Sequence, residues 1–170
     1  MQVVQATPAD LDAIRSAYAH GRVLQRETGS PLWPEFADAA ILAEINSGAL
    51  HRVNDGDALV GVFSAVYEDK PIWAELERGA HIYLHRIARA ASYSGRGLID
   101  AVIAWALERA AALGREGLRM DTWASNHALI AYYGKRGFAL LGTRRIPNDS
   151  PLSEHYRGIE LALLERPLAP

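Results

Sequence analysis

The sequence predicts an α/β or α+β layered domain with a mixed sheet, in the element order β-α-α-β-β-β-α-β-α-β-β. Three observations carry this expectation. "ALVGVFSAVY" (58–67) and "HIYLHRIAR" (81–89) are short apolar runs rich in β-branched and aromatic residues, as strands are. Ile99, Val102, Ile103, Ala106, Ala110 and Leu113 recur at helical spacing. Glycine and proline signals separate such runs along the whole chain, with no repeat, low-complexity tract or linker to divide it.

Taken in order, "VVQAT" reads as a strand, and Thr7 or Asp10 as the cap of a helix whose apolar residues Leu11, Ile14 and Tyr18 lie three and four apart. "SPLWPEF" interrupts that helix with two prolines. Phe36, Ala39, Ala40 and Ala43 then suggest a second helix, stopped by Gly48. Strands over 49–53 and 58–67 are joined by "NDGD", a hairpin turn signal, and Gly61 marks a bulge. The next strand is 81–89, and the helix after it runs from near Gly97 to Gly114. "GLRMDTW" gives another strand. Asn126 caps a helix through Tyr132 and Tyr133, and Gly137 ends it after Lys135 and Arg136, which complement the helix dipole. "FALLGTRRI" and "RGIELALLE" close the chain as an antiparallel pair.

With 170 residues and 49% hydrophobic residues, a single domain over 1–170 is expected. A net charge of −2 and a pI near 6.3 give no general attraction to nucleic acid or to an anionic membrane, so an anion site has to be local. The absence of cysteine excludes disulfides and thiolate metal sites and fits a cytoplasmic location. "MQVVQATPADLDAI" lacks the basic start and apolar run of a signal peptide, and no apolar run reaches the length of a membrane span.

"SYSGRGLID" (92–100) lies between a strand and a helix. Such a turn gathers unpaired N–H groups and the positive helix end at one point, which favours phosphate. Between Glu77 and Asp100 no carboxylate occurs, whereas Arg78, His81, His85, Arg86, Arg89 and Arg96 do. The stretch lacks the Gly-Lys-Ser/Thr ending of a P-loop and the third glycine of a dinucleotide fingerprint. A tight turn with solvated arginines is the plainer alternative. In "WASNHALIAYYGKRGF" (123–138), Asn126 alone reads as a cap and the tyrosines as core or rim residues.

Together these two segments, "YLHRIARAASYSGRGLIDAVIAWA" and "LRMDTWASNHALIAYYGKRGFALLGT", resemble the GCN5-related N-acetyltransferase (GNAT) superfamily in order and spacing. The resemblance implies a GNAT-like mixed, mostly antiparallel twisted sheet with a bulged fourth strand splayed from the fifth, and helices on both faces. It implies acetyl-CoA as co-substrate and no metal. The family's turn pattern, Q/R-x-x-G-x-G/A, aligns with Ser94, Gly95, Arg96, Gly97, Leu98 and Ile99, so Gly97 matches while Ser94 and Ile99 depart from it. Ser94 can cap the helix but supplies no long donor arm, Ile99 brings a branched side chain toward the phosphates, and Asp100 opposes their charge.

By the same resemblance, main-chain N–H groups around Ile87 and Ala88 contact the thioester and pantetheine. Asn126 lies near the pantetheine arm, and Tyr133 faces the CoA sulfur as proton donor. His85, on the splayed strand, is the candidate base or else a histidine bonded within the sheet face or beside its arginine neighbours, with Glu75 and Asp121 as weaker candidates. Acceptor recognition falls to "TGSPLWPEF" and "RRIPNDSPLSEHYR": Trp33 and Phe36 as pocket walls and Glu35 as attraction for a cationic amine, or the aromatics as pins for a loop. The implied activity is acetyl transfer to a small-molecule or peptide amine by a candidate homodimer, without nucleic-acid or membrane partners. The rival readings are a non-catalytic acyl-CoA or small-ligand binding module and an ordinary nucleotide-binding protein.

Overall fold

The computed structural model describes residues 1–152 and 154–168; Ser153, within the second expected acceptor segment, lies outside them. Its strands are β1 (Gln2–Gln5), β2 (Leu50–Asp55), β3 (Ala58–Val66), β4 (His81–Arg89), β5 (Gly117–Trp123), β6 (Ala139–Arg145) and β7 (Glu160–Pro167). Its helices are α1 (Leu11–Glu27), α2 (Asp38–Asn46), α3 (Lys70–Trp73), α4 (Leu98–Ala112) and α5 (His127–Gly134). The sheet order is β1-β2-β3-β4-β5-β7-β6. The pairs β1–β2, β2–β3, β5–β7 and β6–β7 are antiparallel and β4–β5 is parallel, which is the mixed, mostly antiparallel arrangement expected. The parallel ladder is short. His81, Ile82, Tyr83 and Leu84 pair with Gly117, Leu118, Arg119 and Met120, and the register goes no further.

The chain divides into two compact units, Met1–Ala65 with His85–Trp105, and Val66–Leu84 with Ala106–Pro170. In the first, Ile14, Ala17 and Tyr18 of α1 and Ile41 and Ile45 of α2 pack with Leu50, Val62 and Ala88. At the α1 start Asp10 holds the N-cap position but its side chain makes no bond to the helix; it accepts instead from the Thr7 N–H at 2.8 Å and from the Thr7 hydroxyl at 2.9 Å. The face of α2 differs from expectation. Phe36 precedes the helix and Ala39, Ala40 and Ala43 are exposed, while Ile41 and Ile45 are buried, because two isoleucines four apart remove far more apolar area from water than alanines do. At the hairpin, Gly56 has φ 59°, the positive value that primed two-residue turns require.

The β2–β3 register shifts between Val53 and Asn54, opposite Gly61 and Leu59. A Cβ on Gly61 would stand 2.6 Å from Leu98 Cδ2 and 2.8 Å from the Ala88 carbonyl, so the missing side chain lets β3 lie against β4 and the start of α4. Gly61→Ala is expected to lower the urea midpoint by an amount equivalent to about 1–3 kcal/mol at unchanged m-value, the usual cost of overpacking. An unchanged midpoint would show that Leu98 can yield.

The second unit centres on Trp73, Tyr83, Ile146, Leu161 and Leu163. Its α5 has the expected ends: the Asn126 side chain accepts from the Leu129 N–H at 3.1 Å, and Gly137 turns the chain at φ 84°. In β6 the register shifts between Leu140 and Gly142, leaving both Leu140 and Leu141 exposed on an edge strand.

Candidate active site

In the first unit, the strand-to-helix turn is held by its own side chains. The Arg89 guanidinium donates to the Tyr93 carbonyl and lies 3.2 Å from His20 Nε2. The Tyr93 hydroxyl donates to the Arg96 carbonyl at 2.9 Å. Gly95 makes room for that ring, since a Cβ there would stand 2.4 Å from the Tyr93 hydroxyl. Gly97 has φ 99°, in the region that favours glycine, and its carbonyl accepts the Ala101 N–H at 2.9 Å as α4 begins. Gly97 therefore holds the capping position, and Ser94, three residues earlier and exposed, does not cap the helix. Leu98 is buried and Ile99 half-buried. The first N–H groups of α4 have no intrahelical acceptors, and with Arg96 exposed beside them the turn offers donors and positive charge to an anion.

Upstream, His85 is half-buried on β4, one residue past the end of the parallel ladder. Arg86 follows with φ 49°, the left-handed region, inside a strand. For a non-glycine residue this costs on the order of 1–3 kcal/mol, and such strain is held only where surrounding contacts fix it. Here they are identifiable. The guanidinium pairs with Glu44 of α2 and sits 5.1 Å from the Phe36 ring centroid and 6.0 Å from that of Tyr18. Ile87 and the buried Ala88 come directly after this kink, so the clamp on Arg86 sets the direction of their main chain.

The acceptor-segment residues gather around Tyr18. Its ring centroid is 4.9 Å from that of Phe36 and 6.1 Å from that of Trp33. The Trp33 ring packs over Gly21, and the Trp33 main-chain N–H donates to Gln25 Oε1 at 2.9 Å, so ring and backbone together pin the loop to α1. Phe36 both packs on the core and lines a groove of about 430 Å³ along α1. Glu35 also lines it, with its carboxylate 3.4 Å from Arg22. Burial pushes the Tyr18 hydroxyl up to about 12; Arg86 opposes that shift and Glu44 adds to it.

Asn126 and Tyr133 belong to the second unit. Asn126 uses its side-chain oxygen on the helix start. Tyr133 is buried, its ring centroid 5.7 Å from that of Phe138 and 5.6 Å from that of Tyr132. Burial raises its pKa well above the ordinary tyrosine value, with Tyr132 adding and Arg136 opposing, so the phenol keeps its proton at any physiological pH. Of the other base candidates, Glu75 is exposed with its carboxylate 3.5 Å from Arg144, and Asp121 is half-buried on β5.

Sequence reasoning passed over Tyr18, Arg86 and Glu44 as a cluster, and Arg22 with Arg26 beside the groove. The helical spacing of Tyr18, Arg22 and Arg26, each four apart, was the available signal for one shared face. Nothing in sequence marks Arg86 as left-handed.

The Acetyltransferase (GNAT) family model matches residues 18–138. A curated relative, the uncharacterized N-acetyltransferase YesJ of Bacillus subtilis, is 30% identical over 74 residues, a match covering 44% of this chain and only 41% of that protein's length. Among solved structures, a GNAT-family acetyltransferase from Listeria monocytogenes superposes with a TM-score of 0.76 at 22% identity, covering 98% of this chain and 94% of that one. A putative acetyltransferase, yncA, from Salmonella typhimurium, solved with acetyl-CoA, gives 0.68 at 15% identity over 100% and 95% of the two chains. A phosphinothricin acetyltransferase from Sinorhizobium meliloti, also in complex with acetyl-CoA, gives 0.67 at 18% identity over 99% and 88%. The family match takes in β4, the glycine turn, α4, β5 and α5 in one continuous stretch, and the chain belongs to the acetyltransferase (GNAT) family.

Proposed function

We propose that this chain transfers an acetyl group from acetyl-CoA directly to an amine acceptor. The observation that carries the reading is Gly97 at φ 99°, opening α4 straight after β4 inside the family-matched stretch, because it presents unpaired N–H groups where an anion can approach. The acetyl-CoA complexes of the Salmonella and Sinorhizobium proteins support the choice of donor. In this reading the amides of residues 94–99 and Arg96 hold the pyrophosphate, and the main chain at Ile87 and Ala88 receives the thioester. Asn126 borders the pantetheine arm. His85 takes the proton lost by the attacking amine, and Tyr133 donates toward the sulfur as the carbon–sulfur bond breaks.

Calorimetric titration with acetyl-CoA, followed by thiol release over a panel of amines, tests the proposal. Binding unaffected by excess ATP and release with at least one amine are expected. Binding without release on any amine would favour a non-catalytic module, and equal competition by ATP a general nucleotide site. Arg96→Ala should weaken acetyl-CoA binding and flatten its dependence on salt, since an exposed charge contact is lost. An unchanged salt slope would remove Arg96 from the site.

A further inference from the structure

We propose that the groove along α1 recognises an acceptor amine carrying a carboxylate beside an apolar group, with Arg22 and Arg26 taking the carboxylate and Phe36 and Ile41 the apolar part. The inference rests on the proposed acetyl transfer and names the acceptor class for it.

The groove encloses about 430 Å³, within the range of small-molecule sites. Tyr18, Phe36 and Ile41 line it with apolar surface, while Arg22 and Arg26 line it with cations. Arg22 and Arg26 are four residues apart on α1 and so are neighbours on one face. The groove's other arginine, Arg15, is already engaged, 2.8 Å from Asp12 and 3.3 Å from Asp38. Arg86, beneath the rings, is engaged by Glu44. Arg26 makes no ion pair among the described residues. Arg22 holds Glu35 at 3.4 Å, but that carboxylate is 89% exposed, and a pair so screened is readily exchanged for a better-placed acid.

A second observation concerns Tyr18. The Tyr18 hydroxyl is buried without a hydrogen-bond partner, although its residue lines the groove. A buried polar group left unsatisfied is costly, and a ligand's polar atom would satisfy it. Arginine forks suit carboxylates, so Glu35 on Arg22 is a stand-in for the ligand's own acid. On this account Glu35 competes with the acceptor instead of attracting a cation.

The test is calorimetric titration of the full chain, without acetyl-CoA, at pH 6.5, with L-phenylalanine and with L-phenylalaninamide. Each keeps an ammonium and the same ring, and only the carboxylate differs. The acid is expected to bind at least about tenfold more tightly than the amide, the discrimination of one charge-assisted contact. Arg26→Gln and Arg22→Ala should each weaken the acid about tenfold and leave the amide unchanged, and Glu35→Gln should tighten the acid. Arg26 is exposed, so Arg26→Gln should leave folding intact, which the thermal midpoint checks. Equal binding of acid and amide, binding of neither, or weakening by Glu35→Gln would overturn the inference. Thiol release separates it from the proposed function. Tight binding of the acid with no thiol release on it or on any amine of the panel would leave the groove's specificity standing and remove the catalytic reading, while acetylation of both probes with equal KM would do the reverse.

Discussion

Tyr133→Phe is expected to lower kcat by about 10²- to 10⁴-fold while leaving acetyl-CoA affinity unchanged, the loss typical of removing one general acid. The ring is buried against Phe138 and Tyr132, and phenylalanine preserves that packing, so the substitution removes a hydroxyl and little else. Burial keeps the phenol protonated far into the alkaline range, so in the proposed transfer its proton is available for donation at every working pH. The defect should therefore be the same at pH 6 and pH 9. A defect that grew only on one side would mean that another group carries the proton. If the chemical step ran at wild-type rate in single turnovers, Tyr133 would be a packing residue and water would protonate the sulfur.

What the sequence disclosed and what it hid divide along a physical line. Asn126 as a cap, Gly137 as a stop, Gly56 in the hairpin and the buried α4 stripe of Val102, Ile103, Ala106 and Ala110 were legible because each depends on residues within one or two turns of chain, whereas Leu113, expected in that stripe, lies past the helix end and is exposed. The glycine turn was legible for the same reason, although Gly95 is there to fit Tyr93 and Gly97 to cap α4, two different demands that the string "GRG" does not separate. The face of α2 was misread because alanines at helical spacing looked like a stripe, whereas packing selected Ile41 and Ile45. Arg86 could not be read at all. Its left-handed backbone is fixed by Glu44, Phe36 and Tyr18, all more than forty residues away in sequence. Glu35 read as attraction for a cationic amine, and only the fold shows Arg22 beside it.

The largest expected effect on stability comes from Arg119, in the β5 stretch "GLRMDTW". Its side chain is 3% exposed. Two of its nitrogens reach Glu165 Oε2 at 2.7 and 2.8 Å, a third donates to the Leu76 carbonyl at 2.6 Å and to the Tyr83 hydroxyl at 3.3 Å, and the guanidinium lies 4.6 Å from the Trp73 ring centroid. Arg119→Met should cost about 3–5 kcal/mol, because it strands Glu165 and the Leu76 carbonyl instead of removing the pair cleanly. Arg119→Met with Glu165→Met should cost less than Arg119→Met alone, since no carboxylate is then left without its cation. The cluster also sets a pH dependence. Burial, and next Arg119, lower the pKa of His81, whose Nε2 is 3.4 Å from Glu165. His81 is thus neutral in the fold, and the unfolded chain binds its proton first, so stability is lost as pH falls below about 6.5. In Arg119→Met the opposing cation is gone and protonated His81 can pair with Glu165, so the loss between pH 7.5 and 5.5 should be smaller than in the parent chain. Urea unfolding of both proteins at the two pH values measures this. A cost below about 1 kcal/mol, or the same acid lability in both, would show that solvent screens the cluster and that Arg119 contributes no more than a surface ion pair.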